Sequence, residues 1–298
     1  MDLKLNQRAY ELLNKTAEEF ELRRIEYSVG VKKATVIDAG INAKFMQKKS
    51  FELGAKIADA SMGCLGRTEI KNNALEITIP EKPAVAALSC QLAGWEIPIG
   101  SHKALGSGPA RIPAKKPAKI IDKIGYFESP RKAALILETD HVPDKETCLK
   151  ILEDTKAEEL IIAAFKGNTD TGLINILARV VEVGIFRLNN LGYDTKKIIC
   201  AEGSVPIPMI PVDAMFKGND SIIYQGNVGI KVDTWDSALT DKAVSSSSPV
   251  YGKCFQDIFN DALGDFYRID ANIFSPAEIS VVDGKGNKYH SGAARPIY

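Results

Sequence analysis

The chain has 298 residues, enough for one large domain or two medium ones with a sizeable buried core. Hydrophobic residues make up 45% and charged residues 26%, which excludes a largely disordered chain. Lys plus Arg equals Asp plus Glu at 38 each, so the overall basic excess expected of a nucleic-acid binder is absent.

The five cysteines (Cys64, Cys90, Cys148, Cys200, Cys254) are widely spaced, with no C-x-x-C pair. The three histidines (His102, His141, His290) are scattered. This predicts reduced thiols, no disulfide framework and no metal site. The N-terminus, MDLKLNQRAYELL, mixes charge into its apolar residues and has no signal-peptide pattern. No run of about 18 uncharged apolar residues occurs. The expectation is a cytoplasmic protein with neither a membrane nor a nucleic acid as partner.

In chain order, residues 3–24 read as an amphipathic helix, 33–39 as a buried strand, 48–60 as a second helix and 74–79 as a strand. Residues 83–93 read as helical, with Gly94 as the stop. Residues 95–111 form a short strand and a glycine-rich turn. The basic run 111–123 reads as a solvated surface segment. The Pro/Lys-rich stretch 113–130 is the best boundary, which predicts an N-terminal domain over 1–120 and a C-terminal domain over 121–298. Strands follow at 133–139 and 159–165 with a helical segment between them, then a long helix over 171–191 and a strand at 197–203. Residues 206–211 read as a proline-studded loop and 221–233 as two short strands around a turn. Ser245 to Ser248 read as a mobile surface loop. A helix is expected at 251–263 and a hairpin at 277–292, whose return to the first domain stays open. Alternation of strands and helices predicts an α/β architecture of two layered domains.

The helix at 171–191 is apolar on almost every side, which marks it as buried. Its polar residues Thr171, Asn175, Arg179 and Glu182 are spaced four, four and three apart and share one stripe. An unpaired charge is expensive to bury, so the stripe must meet partners, water or a ligand. Arg179 and Glu182 can pair at i, i+3. Two readings stand at this point: a buried ion pair that only fixes packing, or a pair lining a ligand pocket.

Two further turns are candidates. Gly106-Ser107-Gly108-Pro109-Ala110-Arg111 follows a strand, and its glycines let the backbone come close to a ligand, with Arg111 and the amides meeting its oxygens. It is neither a dinucleotide fingerprint nor a P-loop, and a plain tight turn is the competing reading. Gly203 and Ser204 follow another strand, with Asn219 and Asp220 nearby in sequence, and turn chemistry also explains these.

Several segments together resemble one family. They are MGCLG (62–66), KPAVAALSCQLAGW (82–95), ALGSGPAR (104–111), ARVVEVGI (178–185), NDSIIYQG (219–226) and YGKCFQDIF…GDFYRID…FSPAE (251–278). In order and spacing they are similar to the methenyltetrahydromethanopterin cyclohydrolases. The resemblance implies a cytosolic enzyme of one-carbon metabolism and methanogenesis, with two α/β domains and the ligand in a cleft between them. It also implies a small-molecule pterin substrate, no metal or redox cofactor, and a homo-oligomer, commonly a trimer. The arginine and glutamate of its A-R-x-x-E motif correspond to Arg179 and Glu182, which would act at the reacting carbon with Glu182 as general base. The substrate-binding set implied or selected is Gly106, Ser107, Gly108, Arg111, Thr171, Asn175, Gly203, Ser204, Asn219 and Asp220. The chain departs from the usual pattern at 164–175, where a usual Gln is Asn175, and at 216–220. The alternative is a divergent paralogue that binds a pterin one-carbon carrier without efficient turnover.

Overall fold

Strands β7 (Lys132–Glu138) and β8 (Glu159–Phe165) are short, nearly continuous apolar runs, and such runs suit strands buried on both faces. The computed structural model, which describes residues 2–209, 213–265 and 268–296, places them at the centre of a six-stranded sheet. In chain order the other strands are β1 (Arg24–Val29), β2 (Lys32–Asp38), β3 (Arg67–Lys71), β4 (Ala74–Ile79), β5 (Trp95–Ile99), β6 (His102–Ser107), β9 (Ile198–Pro206), β10 (Asn227–Val232), β11 (Glu278–Val282) and β12 (Lys288–Gly292). The α-helices are α1 (Leu5–Glu19), α2 (Gln47–Ser61), α3 (Arg111–Ala114), α4 (Ala118–Ile124), α5 (Lys145–Thr155), α6 (Asp170–Leu177), α7 (Val180–Asn190), α8 (Ala214–Gln225) and α9 (Phe255–Asp261).

The chain divides into two units. The first comprises Met1–Arg67 with Val85–Asn175, and the second Thr68–Ala84 with Ile176–Tyr298. Both hold α/β layers, as the alternation predicts. The expected boundary near 113–130 is corrected. The chain leaves the first unit to place β4 in the other sheet, then returns for β5 to β8. The Pro/Lys-rich stretch folds into α3 and α4 against a π-helical segment, Val85–Gln91. The final hairpin pairs with β10 in the second sheet and does not return to the first unit.

The first sheet has the order β1-β2-β8-β7-β6-β5, with β2, β8 and β7 parallel. Alternate residues of its central strands feed two cores, one per face. On one face Val36, Leu135, Leu137 and Ile162 meet Cys148, Ile151 and Leu152 of α5. On the other, Ile37, Ile136, Ile161 and Phe165 meet Ala9 and Leu13 of α1 with Leu53 and Ile57 of α2. Each of the buried Val, Leu, Ile and Phe side chains among them contributes about 1.5–3 kcal/mol. The second sheet has the order β12-β11-β10-β9-β4-β3. Along β9, Ala201, Gly203 and Val205 are buried and Glu202 is exposed. Helices α7 and α8 cover the buried face.

Other expectations also change. The helix expected over 3–24 stops at Glu19, and residue 24 instead opens β1, which forms an antiparallel pair with β2. The apolar run SIIY belongs to α8, because a short apolar run carries no decisive period of its own. The serine run is not a mobile surface loop. Ser245 is fully buried and its hydroxyl donates to the Ile223 carbonyl at 2.5 Å, while Ser248 donates to Asp270 Oδ2 at 2.6 Å. The end of the proline loop, at 210–211, and residues 266–267 of the resembling GDFYRID segment lie outside the described residues.

Candidate active site

The expected single helix over 171–191 is two helices. Residues 178–179 are non-helical, and Arg179 is the N-cap residue of α7 with φ −85° and ψ 3°. Glu182 therefore stands at the third position of the first turn of α7, where unsatisfied backbone N–H groups and the helix dipole favour a negative charge. Nε and Nη2 of Arg179 both reach Oε2 of Glu182, at 2.8 and 2.7 Å. Oε1 takes no hydrogen bond among the described residues. The carboxylate side chain is 1% exposed and the guanidinium 26% exposed. A nearly buried carboxylate, held by one oxygen with the other unclaimed, can accept a proton from a bound molecule.

Other candidates have tasks inside the fold. Arg111 is fully buried. Its Nη1 donates to the carbonyls of Leu88, Ser89 and Cys90 at 3.0–3.2 Å, and its Nε donates to the Lys116 carbonyl at 2.8 Å. The guanidinium thus caps the last carbonyls of the π-helical segment, a structural duty for which a helix end needs some partner. The amides of its turn are also committed. Gly108 N–H donates to the Cys90 carbonyl at 2.7 Å and Ala110 N–H to the Ala134 carbonyl at 3.0 Å. These bonds commit Nε and Nη1 of Arg111 and two amides of the turn to the fold itself. Gly108, at φ +100°, brings the chain against Ile136 and Ala134, and Gly106 comes close to Trp95, so the glycines admit protein rather than ligand. Ser107 is buried in β6 opposite Ile136.

Thr171 is buried, with its hydroxyl 3.5 Å from the Ser50 carbonyl. Asn175 is buried and its Nδ2 has no hydrogen-bond partner among the described residues. Asn219 donates Nδ2 to the Met215 carbonyl at 2.8 Å, and Asp220 Oδ1 accepts from Phe255 N–H at 2.7 Å, which fixes the first turn of α9 on α8. Ser204 pairs with Asn227 and Glu76 in the sheet. Its side chain alternates to the face opposite Gly203, hence away from α7. Gly203 itself lies under the first turn of α7.

The sequence reading missed three buried polar anchors. Asn6 donates to the Pro109 carbonyl at 2.9 Å and accepts from Ala134 N–H at 3.1 Å. Asp38 Oδ1 accepts from the amides of Gly40, Ile41 and Asn42 at 2.8–3.2 Å. Arg187 of α7 donates Nε to the Lys242 carbonyl at 2.7 Å, Nη2 to Ser247 Oγ at 3.3 Å and Nη1 to Asn272 Oδ1. A polar residue on the inner side of an apolar pattern was the available signal for Asp38. Asn6 and Arg187 look like surface positions in sequence. A cavity of about 580 Å³ lies beside Lys4, Phe127, Glu128 and Arg131 and is lined by none of the candidate residues. Among the described residues no group of three or more His, Cys, Asp or Glu is placed to hold a metal ion, and no helix is long and apolar enough to cross a membrane.

Residues 4–296 match the family model described as Cyclohydrolase (MCH). The chain belongs to this cyclohydrolase family. It is 32% identical over 308 residues to the methenyltetrahydromethanopterin cyclohydrolase of Methanospirillum hungatei JF-1, covering 99% of this chain and 96% of that protein. It is 35% identical over 301 residues to the enzyme of the same name from Methanosphaerula palustris, with 96% and 93% covered. The cyclohydrolase of Methanothermobacter marburgensis is 34% identical over 266 residues, with 84% and 83% covered. The cyclohydrolase match spans both units of the fold, so it covers the α7 pair and the glycine turns alike.

Proposed function

We propose that this chain hydrolyses the methenyl bridge of methenyltetrahydromethanopterin to the formyl form. The observation that carries the reading is the Arg179–Glu182 pair, with both guanidinium contacts on Oε2 and Oε1 left unclaimed. The substrate carbon lies between two nitrogens and shares their positive charge. Water attacks that carbon, and Glu182 Oε1 takes one proton from the water as the C–O bond forms. One C–N bond of the resulting carbinol then breaks, its electron pair staying on nitrogen, which takes a proton while the carbinol oxygen gives up its own and becomes the formyl carbonyl. The other nitrogen keeps the formyl group. The net reaction consumes one water and releases one proton, with no change in oxidation state.

Arg179 fixes the carboxylate and offsets its charge, while the carboxylate attracts a cationic substrate. An already cationic carbon needs no Lewis acid for attack by water, so the proposed reaction uses no metal or redox cofactor. The proposal extends to a cytoplasmic homo-oligomer, a trimer, working in methanogenic one-carbon metabolism. Light scattering of the purified protein tests the assembly. The activity test follows loss of the methenyl absorbance on adding protein to methenyltetrahydromethanopterin. Turnover that depends on Glu182 supports the reading. Binding without turnover would make the chain a carrier-binding relative instead.

A further inference from the structure

The two residues between Arg179 and Glu182 are Val180 and Val181, and both are fully buried. They sit in a hollow made by two glycines of the second unit. A methyl group at Gly203 of β9 would stand 2.6 Å from Val181 Cγ2 and 2.9 Å from Val180 Cγ1. One at Gly226, between α8 and β10, would stand 2.9 Å from Val180 Cγ2. Carbon atoms normally approach to about 3.5 Å, so neither position admits a side chain without moving the helix. One turn further on, the relief is reversed. Val228 of β10, the register partner of Gly203, rises against Gly184 of α7, where a methyl would meet it at 3.4 Å.

The sheet offers a hollow to the first turn of α7 and a knob to the second. Interdigitation of this kind fixes a helix along its axis and in height, because close-packed interfaces do not deform continuously. We infer that Gly203 and Gly226 are positioning residues for the proposed reaction: they seat Val180 and Val181, and so set where Arg179 and Glu182 stand. This inference rests on the proposed function. Glycine at 203 is there for the close approach of the helix, not for contact with substrate.

The test is Gly203→Ala in the full chain, assayed with methenyltetrahydromethanopterin. A misplacement of about 1 Å costs on the order of 10²-fold in rate, so kcat is expected to fall about 10- to 100-fold while KM changes less. Adding Val181→Ala removes the methyl at the closest contact and leaves Val180 Cγ1 at 2.9 Å, so part of the lost rate should return. Gly229→Ala is the control. The atoms nearest a methyl there belong to the flexible Glu202 side chain, at 3.1 Å, and the rate should hold. Specific activity is referred to the folded fraction measured by circular dichroism. If Gly203→Ala keeps kcat within about twofold of wild type, or adding Val181→Ala restores none of the lost rate, the glycines only serve packing and the inference falls. A crystal structure of the Gly203→Ala protein reads the same point without activity: displacement of the Arg179 and Glu182 side chains by about 0.5 Å or more supports the lock, and an unmoved pair refutes it. A wild-type chain without turnover overturns the proposed function and leaves this structural readout standing.

Discussion

Arg179 holds Glu182 by a single carboxylate oxygen, through Nε and Nη2 at 2.8 and 2.7 Å. A fork closed on one oxygen gives the carboxylate a fixed orientation while sparing the second oxygen for chemistry. Glu182→Gln keeps the shape and loses the base. Loss of a general base typically costs about two to four powers of ten, and a fall of that size in kcat is expected, with a folded protein and modest change in KM. Arg179→Lys should be milder than Arg179→Ala, since Lys keeps the charge without the planar fork. Rapid-mixing measurement of methenyl decay checks the order. Near-wild-type turnover by Glu182→Gln would remove Glu182 from the mechanism.

Arg111 should govern stability rather than affinity. Its guanidinium serves carbonyls of Leu88, Ser89, Cys90 and Lys116, so Arg111→Ala strips a buried cap from the π-helical segment. Hydrogen bonds to a charged donor contribute about 1.5–3 kcal/mol, and a loss of about 3 kcal/mol or more is expected. Thermal melts should show a drop of about 5–10 °C. A raised KM with unchanged melting would put Arg111 at a ligand after all.

The serine run should resist proteases. Ser245 and Ser248 are buried and bonded, and Arg187 Nη2 donates to Ser247 Oγ at 3.3 Å. Limited proteolysis is expected to leave 245–248 intact. Ser245→Ala should lower stability by about 1 kcal/mol. Early cleavage within the run would contradict this.

Acid stability should depend on Asp38. Burial pushes its carboxyl upward, but hydrogen bonds from the amides of Asn42, Gly40 and Ile41 and from the Asn42 side chain outweigh burial and hold it below the ordinary carboxylate range. A depressed folded-state value means that the stabilisation is complete above the unfolded value of about 3.9 and lost as pH falls through the folded one. Glu128 works in the opposite sense. Burial raises its carboxyl, so its contribution is complete at low pH and lost as pH rises through its folded value. Denaturant titrations between neutral pH and about pH 2.5 should show a steeper acid loss for wild type than for Asp38→Asn. Equal slopes would refute the assignment.

Thiol reactivity should separate the cysteines. Burial pushes Cys90 far above its usual range, Cys148 to about 12 and Cys64 to about 11. The thiolate is the reactive form, so all three should resist iodoacetamide near pH 8 in the folded protein. Peptide mass spectrometry after native alkylation checks this, and rapid labelling of Cys90 would contradict it.

The parts of the fold legible in sequence were those with a period strong enough to read alone. The runs of β7 and β8, the α2 pattern and the final hairpin are of this kind. The i, i+3 spacing of Arg179 and Glu182 is likewise enough to make them neighbours. The interruption at 178–179 was not legible, because Ala178 and Arg179 are both good helix formers and no Gly or Pro marks the break. The role of Gly106, Gly108 and Gly203 was also hidden. A glycine signals that something comes close to the backbone, but only tertiary structure says whether that is a ligand, a strand or a helix.

The division of the chain at 67/68, 84/85 and 175/176 bears on how the protein is made. During synthesis β4 leaves the ribosome with its sheet partner β9 still untranslated, since the whole span 85–175 intervenes. The first unit can close as soon as residue 175 has emerged, whereas the β4 segment must wait with a bare edge, a ready template for pairing with another chain. No single cut frees either unit as one continuous fragment, so expression of the first 175 residues alone would carry the orphaned β4 segment into solution.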